Sequence, residues 1–282
     1  AGSGHPEGSP FPWIVCDFGL VDAIECGIVK VPRMPVKDSL GGTDDAGRPD
    51  PQYFRLWDHV LEQLTPSDYI KKRPKPDVLL IKAGPALAML YSQWKERFNK
   101  ITSSATGERP IPPVMILVCE NTNLSKAFYE YISGETEDED GMITRGHTPF
   151  AEFKNTETEK HTFRIDSELL AKAESDGEGT RDQAAAALRE LIGTVGQRGK
   201  PGEHVRCVVS VSMLTEGWDA NNVTHVFGLR PFRSQLLCEQ VVGRGLRRMS
   251  YTPDPETGLL PAEYVDIYGI PFSLIPYKGR PK

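Results

Sequence analysis

The chain has 282 residues, of which 39% are hydrophobic and 26% charged, and a formal net charge of −6. That balance suits a globular protein with enough chain for one large domain or two small ones. It excludes a generally basic nucleic-acid binder, so any contact with DNA or RNA has to come from a local cluster of cations. The five cysteines, Cys16, Cys26, Cys119, Cys207 and Cys238, are odd in number and widely spaced. They read as buried or incidental thiols of a reducing compartment, not as a disulfide or zinc framework. No apolar run approaches the roughly 18–20 residues of a membrane span, and no secretory signal opens the chain. The expectation is a cytoplasmic protein without membrane contact. The opening AGSGHPEGSP has no initiator methionine and reads as a loop from inside a longer natural chain.

A short apolar run at Trp13 to Cys16 comes first, followed by a helical turn from Leu20 to Glu25 that ends at Gly27. Residues 37–51 are polar and rich in Gly, Pro and Asp, the composition of a loop or linker. Tyr53, Leu56, Trp57, Val60, Leu61 and Leu64 then recur at helical spacing. A second stripe, Leu87, Leu90, Tyr91, Trp94 and Phe98, predicts another helix with Pro85 near its first turn. DVLLIKAG before it is ambiguous between strand and helix. Both aromatic stripes are read as core rather than as a ligand groove.

From Pro113 the pattern changes. VMILVC is a continuous apolar run of the kind found in buried parallel strands. ENTNLSKAFYEYI is a helix with Leu124, Phe128 and Tyr131 on its apolar side, and ETEDED is a solvated acidic loop rather than a metal site. HTFRIDS is a strand, DQAAAALRELIGTVG a helix, and VRCVVSVS and VTHVFGL two more strands. SQLLCEQVVGRGLRRM is a helix, and EYVDIYGIPF a final strand. Strands and helices alternating in this way predict an α/β fold: a parallel sheet covered by helices on both faces.

CEQVVGRGLRR, residues 238–248, carries three arginines, two glycines and a glutamine. At about 100° per residue, Gln240, Arg244 and Arg247 share one stripe, opposite Cys238, Val242, Leu246 and Met249. Neither Arg244 nor Arg247 has a carboxylate three or four residues away, so their partner is expected elsewhere. Glycine inside a helix costs about 0.5–1 kcal/mol against alanine, and Gly243 leaves room beside the polar stripe. Guanidinium forks fit phosphate oxygens, which makes this stripe an anion-site candidate against the simpler reading of a solvated basic face. The preceding loop, Ser212 to Asp219, leaves the carboxyl end of a predicted parallel strand, where α/β proteins bind ligands. Gly217 would allow backbone approach, Asp219 can accept from a sugar hydroxyl, and Ser212 can donate to a phosphate oxygen.

A strand ending in S-x-x-x-E-G-x-D, then a strand, then Q-x-x-G-R-x-x-R on a helix resembles motifs V and VI of superfamily 2 helicases. VMILVCENTNLSKAFYEYI resembles their motif IV region and HTFRIDS the strand after it. DFGLVDAIECGIVKVPR and SMLTEGWDANNVTHVFGLRPFRSQLLCEQVVGRGLRR resemble more narrowly the helicase subunit of type III restriction enzymes.

The resemblance implies a RecA-like fold and a division into residues 1–35, an inter-domain connection after a first motor domain, 36–110, a helical insertion or connection, and 111–282, the second RecA-like domain. It implies that Arg244 and Arg247 face a γ-phosphate, one as an arginine finger, with Gln240 positioning the phosphate or its attacking water. It places Gly217, Asp219 and Gly243 near the nucleotide, and Asn121, Thr122, Asn123, Ser167 and Ser212 at the nucleic-acid backbone. Asn and Thr ahead of a helix are in simpler terms caps. ATP and Mg²⁺ are the implied cofactors, held mainly by the first domain. DNA, that first domain and a methyltransferase or specificity subunit are the implied partners, and the full protein would be an ATP-driven DNA translocase with endodeoxyribonuclease activity.

The chain departs from the family in having no G-x-x-x-x-G-K-[ST] phosphate loop and no D-E-x-H or D-E-A-D box. These residues alone are therefore expected to be inactive toward ATP. Glu152-Phe153-Lys154 mimics a nuclease E-x-K element but sits in a polar loop without a P-D partner, and is read as coincidence. Two alternatives stand beside the motor reading: a non-catalytic nucleic-acid or protein docking module on a helicase scaffold, and a helicase of a repair or RNA type.

Overall fold

A computed structural model of the chain describes residues 18–35, 42–43, 49–50, 53–105, 107–138, 142–165, 186–187, 190–211 and 218–272. Its centre is a six-stranded sheet, all of whose pairings are parallel. In chain order the strands are β1 (Val31–Arg33), β2 (Val114–Cys119), β3 (Thr162–Ile165), β4 (Cys207–Ser210), β5 (Val223–Leu229) and β6 (Tyr264–Tyr268). Across the sheet they run β1-β6-β5-β2-β4-β3. The helices are α1 (Leu20–Glu25), α2 (Leu56–Glu62), α3 (Pro76–Ser104), α4 (Thr122–Ser133) and α5 (Gln235–Gly245). Residues 186–187 and 190–193 are also helical. Trp13–Cys16 lies outside the described residues.

The two faces of the sheet follow from the period-2 alternation of a strand. All six residues of β2 are buried. Met115, Leu117 and Cys119 join the side chains of α2, α3 and α4 in one core. Val114, Ile116 and Val118 join Cys238, Val241 and Val242 of α5 in the other. This is the α/β architecture expected of a RecA-like domain, with helices on both faces.

Helix α3 resolves the ambiguous DVLLIKAG as helix. It starts at Pro76, so Pro85 lies inside it rather than in its first turn. An interior proline costs on the order of 3 kcal/mol. A continuous buried stripe, Leu79, Ala83, Leu87, Leu90 and Trp94, offsets that cost, since each large apolar side chain contributes about 1.5–3 kcal/mol on burial. The Trp94 indole N–H donates to the Pro113 carbonyl at 2.9 Å, fixing the helix to the entrance of β2. The aromatic stripes of α2 and α3 are core, with Tyr53, Trp57, Tyr91 and Trp94 all buried.

ETEDED departs from the expected loop. Residues Glu135–Glu137 pair with Ile143–Arg145 in a short hairpin, and Glu135 is buried. Its carboxylate accepts from the Tyr129 hydroxyl at 2.7 Å, from Asn155 at 2.8 Å and from Arg145 Nε at 3.0 Å. Those donors make an otherwise costly burial tolerable. Among the described cysteines, Cys119, Cys207 and Cys238 are buried and Cys26 is exposed, all as free thiols. Among the described residues, no helix is long and apolar enough to cross a membrane.

Candidate functional site

Helix α5 begins where Ser234 caps it, its hydroxyl accepting from the Leu237 N–H at 3.2 Å. Cys238, Val241, Val242 and Leu246 face the sheet and are buried. The helix stops at Gly245, short of the expected end at Met249, and the Leu246 carbonyl accepts from the Lys30 N–H at 2.7 Å. Met249 therefore lies past the helix and is exposed instead of facing the sheet.

The two glycines have different reasons. A Cβ on Gly245 would sit 2.8 Å from Val265 Cγ2 and 3.2 Å from Val226 Cγ2, so this position is glycine because the helix presses on the sheet. Among the described residues, a Cβ on Gly243 would meet nothing within 4 Å. No packing demand from the described residues accounts for it.

Arg244 and Arg247 converge beside Gly243. Each donates from Nη1 to the carbonyl of Trp218, both at 2.8 Å. Arg247 Nε also lies 2.9 Å from Asp219 Oδ1, in an exposed ion pair. Burial, then the neighbouring Arg247 charge, pulls the Arg244 guanidinium's pKa below its ordinary value, with Asp219 acting the other way. Gln240 is exposed one turn earlier on α5. Within this chain, both guanidiniums contact the Trp218-Asp219 segment. Trp218 itself is buried, and its role as a carbonyl anchor has no signature in the sequence beyond one large apolar residue in a polar loop. The third arginine, Arg248, is buried and structural. It donates to the carbonyls of Pro261 at 2.5 Å and Ser250 at 3.1 Å.

This cluster lies toward the amino-terminal edge of the sheet. Trp218–Asn222 lead into the first residue of β5, and Gly245 packs on Val223, Val226 and Val265. Asp219 is therefore distant from the carboxyl rim at which the loop departs after Ser210. Gly217, Ser212 and Ser167 lie outside the described residues. Asn121, Thr122 and Asn123 sit at that carboxyl rim, following β2, and on the face opposite α5. The structure does not bring them to the arginines. Asn121 is the cap of α4: its Oδ1 accepts from the Leu124 N–H at 3.0 Å, while its amide donates to Glu120 at 3.2 Å. Glu152 of the E-x-K triplet is engaged by Lys95 at 2.9 Å and by the Tyr91 hydroxyl, with Phe153 buried behind it. Among the described residues no three His, Cys, Asp or Glu side chains gather where a metal ion would sit.

By sequence, the chain matches no protein-family model and no curated protein.

Proposed function

We propose that this chain carries the second motor domain of an ATP-dependent DNA translocase or helicase of the type III restriction kind. The observation that carries the reading is the convergence of Arg244 and Arg247 on one carbonyl beside the open flank of Gly243. Two planar guanidiniums held side by side at a helix end suit the oxygens of a transferring phosphoryl group. The arginines and the cleared flank fit the phosphate end of a nucleotide. ATP with its Mg²⁺ would supply the phosphoanhydride whose cleavage drives movement, held mainly by a first domain that carries the phosphate loop. Arg244 and Arg247 would neutralise charge developing there, Gln240 would orient the phosphate or its water, and Asp219 would lie near the sugar.

The test uses the protein joined to its first motor domain. Arg244→Ala and Arg247→Ala are each expected to lower DNA-stimulated ATP hydrolysis by about 10³–10⁵-fold, as loss of an arginine finger does. Turnover at the parent rate in both variants would overturn the assignment.

A second reading, a non-catalytic docking module on the same scaffold, draws support from the Arg247–Asp219 contact. If Arg247 serves that contact, Arg247→Ala and Asp219→Ala should have equal effects in every assay. Under the motor reading, Arg247→Ala is far the more damaging to turnover.

A further inference from the structure

The opposite rim of the sheet holds a second concentration of arginines, contributed by two separate segments. A crevice of about 250 Å³ lies outside the carboxyl ends of β5 and β6 and is lined by Arg55, Asp58, Arg230, Phe232, Arg233 and Gly269 among others. Arg55 stands at the start of α2, Arg230 and Arg233 follow β5, and Gly269 follows β6. The crevice beyond the carboxyl ends of parallel strands is the recurrent ligand position of open α/β sheets.

Three features argue for an anionic ligand. Arg55 and Arg233 are exposed and Arg230 half-buried, and among the described residues none of the three forms an ion pair. Arg230 reaches past the end of β2 to the carbonyl of Val211 at 3.4 Å, and among the described residues its buried Nε has no hydrogen-bond partner. Among the described residues that line it, the crevice has one carboxylate, Asp58, against three guanidiniums.

The floor is rigid. Gly269 has φ +74, and a Cβ there would run into the Gly228 carbonyl. A Cβ on Gly228 would meet Phe232 Cε2 and Ile270 Cγ1 at 2.6 Å each. The two glycines let the carboxyl ends of β5 and β6 close together under the arginines, which pre-forms the cradle rather than leaving it to ligand-induced ordering.

We propose that this crevice is a phosphate site, distinct from the Arg244–Arg247 cluster, in which Arg55, Arg230 and Arg233 hold one phosphate group. The volume suits a phosphate or pyrophosphate and is below the roughly 300–1,000 Å³ of a pocket that encloses a drug-sized molecule. The group therefore belongs either to a small free phosphoanion or to one position on a nucleic-acid strand crossing the rim. The guanidinium–phosphate chemistry is the same for both.

The experiment titrates the 282-residue chain with inorganic pyrophosphate by calorimetry, and with a fluorescently labelled oligothymidylate by anisotropy. Arg55→Ala and Arg233→Ala alter exposed residues, and circular dichroism verifies that both variants fold. Each is expected to weaken binding about tenfold or more, the scale of a lost charge-assisted contact, while Asp58→Asn tightens it. Added salt weakens binding in all proteins. Pyrophosphate binding that drops in both variants supports the site with a free phosphoanion as ligand. Oligonucleotide binding that drops while pyrophosphate does not bind supports it with a strand as ligand. Binding of neither probe at millimolar concentration, or affinities within twofold of the parent in both variants, overturns the site. The titrations are repeated in an Arg244→Ala/Arg247→Ala background, which removes the other arginine cluster. Binding that persists there and still drops with Arg55→Ala and Arg233→Ala belongs to this crevice, so failure of the motor reading and failure of this one are separately visible.

Discussion

Arg247 holds Asp219 through a 2.9 Å contact between Nε and Oδ1, and the same guanidinium donates from Nη1 to the carbonyl of the residue just before it, Trp218. One side chain at the end of α5 thus grips two consecutive residues of a segment nearly thirty positions upstream. The arrangement fixes where the guanidinium stands, and it does so at the surface.

Because both partners are well exposed, the pair contributes little to folding. Asp219→Ala is expected to lower stability by less than about 1 kcal/mol in urea denaturation, and by less still as salt is raised. A loss of several kcal/mol would mean that the contact anchors the whole segment.

The glycines of α5 should respond with opposite signs. Gly243→Ala meets open space and is expected to raise stability by about 0.5–1 kcal/mol, the usual gain in a helix interior. Gly245→Ala forces a methyl against Val265 and is expected to lower stability by about 1–3 kcal/mol through overpacking. Chemical denaturation of the two variants side by side checks both.

Lys30 is fully buried, with its ammonium donating at 2.6 Å to the carbonyls of Asn221 and Val223. Burial pushes its pKa down to about 8 from 10.5. Below about pH 8 both folded and unfolded chains carry the proton. Between about 8 and 10.5 the unfolded chain binds it and the folded chain does not, so stability from this group rises with pH. Urea midpoints at pH 7.5 and 9.5, chosen to straddle that shift, should therefore move upward in the parent relative to Lys30→Met. At neutral pH that variant should also be less stable by about 1–3 kcal/mol, because two buried carbonyls lose their donor.

His225 gives the acid-side counterpart. It is buried, with Nδ1 2.8 Å from the Thr224 hydroxyl and Nε2 3.5 Å from Asp266. Burial first, then the charges of Arg97 and Arg33, lower its pKa from 6.5 to about 3. As pH falls through that window the unfolded chain takes up a proton that the folded chain refuses, so stability is lost. His225→Gln should flatten the decline between pH 6 and 4, with the parent as reference, in thermal denaturation across that range. An identical decline in both proteins would show that the imidazole is not held neutral.

What the sequence makes legible is whatever is written within a few residues. VMILVC is uninterrupted because both of its faces are covered, and the stripe through Leu87, Leu90 and Trp94 has one period because one side faces the sheet. The Leu20–Glu25 turn ends where glycine permits. What escapes is whatever needs a distant partner. The strand Val31–Arg33 is three residues long and has no pattern of its own; it exists because Tyr264–Asp266 offers it a ladder and Asp266 takes Arg33 through two contacts of 2.8 and 2.7 Å. ETEDED looks like solvated acid until Arg145, Tyr129 and Asn155 are seen to surround Glu135. Met249 was legible as a helical position only for a helix longer than the one that forms.

The candidate sites divide in the same way. Arg244 and Arg247 stand out locally, and the open flank of Gly243 agrees with a purpose beyond packing. Their anchorage on Trp218 is a tertiary fact. The carboxyl-rim arginines come from two segments, the start of α2 and the stretch after β5, and only the fold brings the two together.

Strand order has a temporal consequence. β6 lies between β1 and β5, and among the described residues β1 has no other neighbour in the sheet. Val31 thus waits for Tyr264, 233 positions later, before any of its ladder forms. On a ribosome, β2, β4 and β5 can zip together while that edge is still unpartnered, and contacts so remote in sequence are the slow ones to close. A chain halted short of residue 264 would leave β5 bare on the side that β6 should cover, a ready template for a neighbouring molecule.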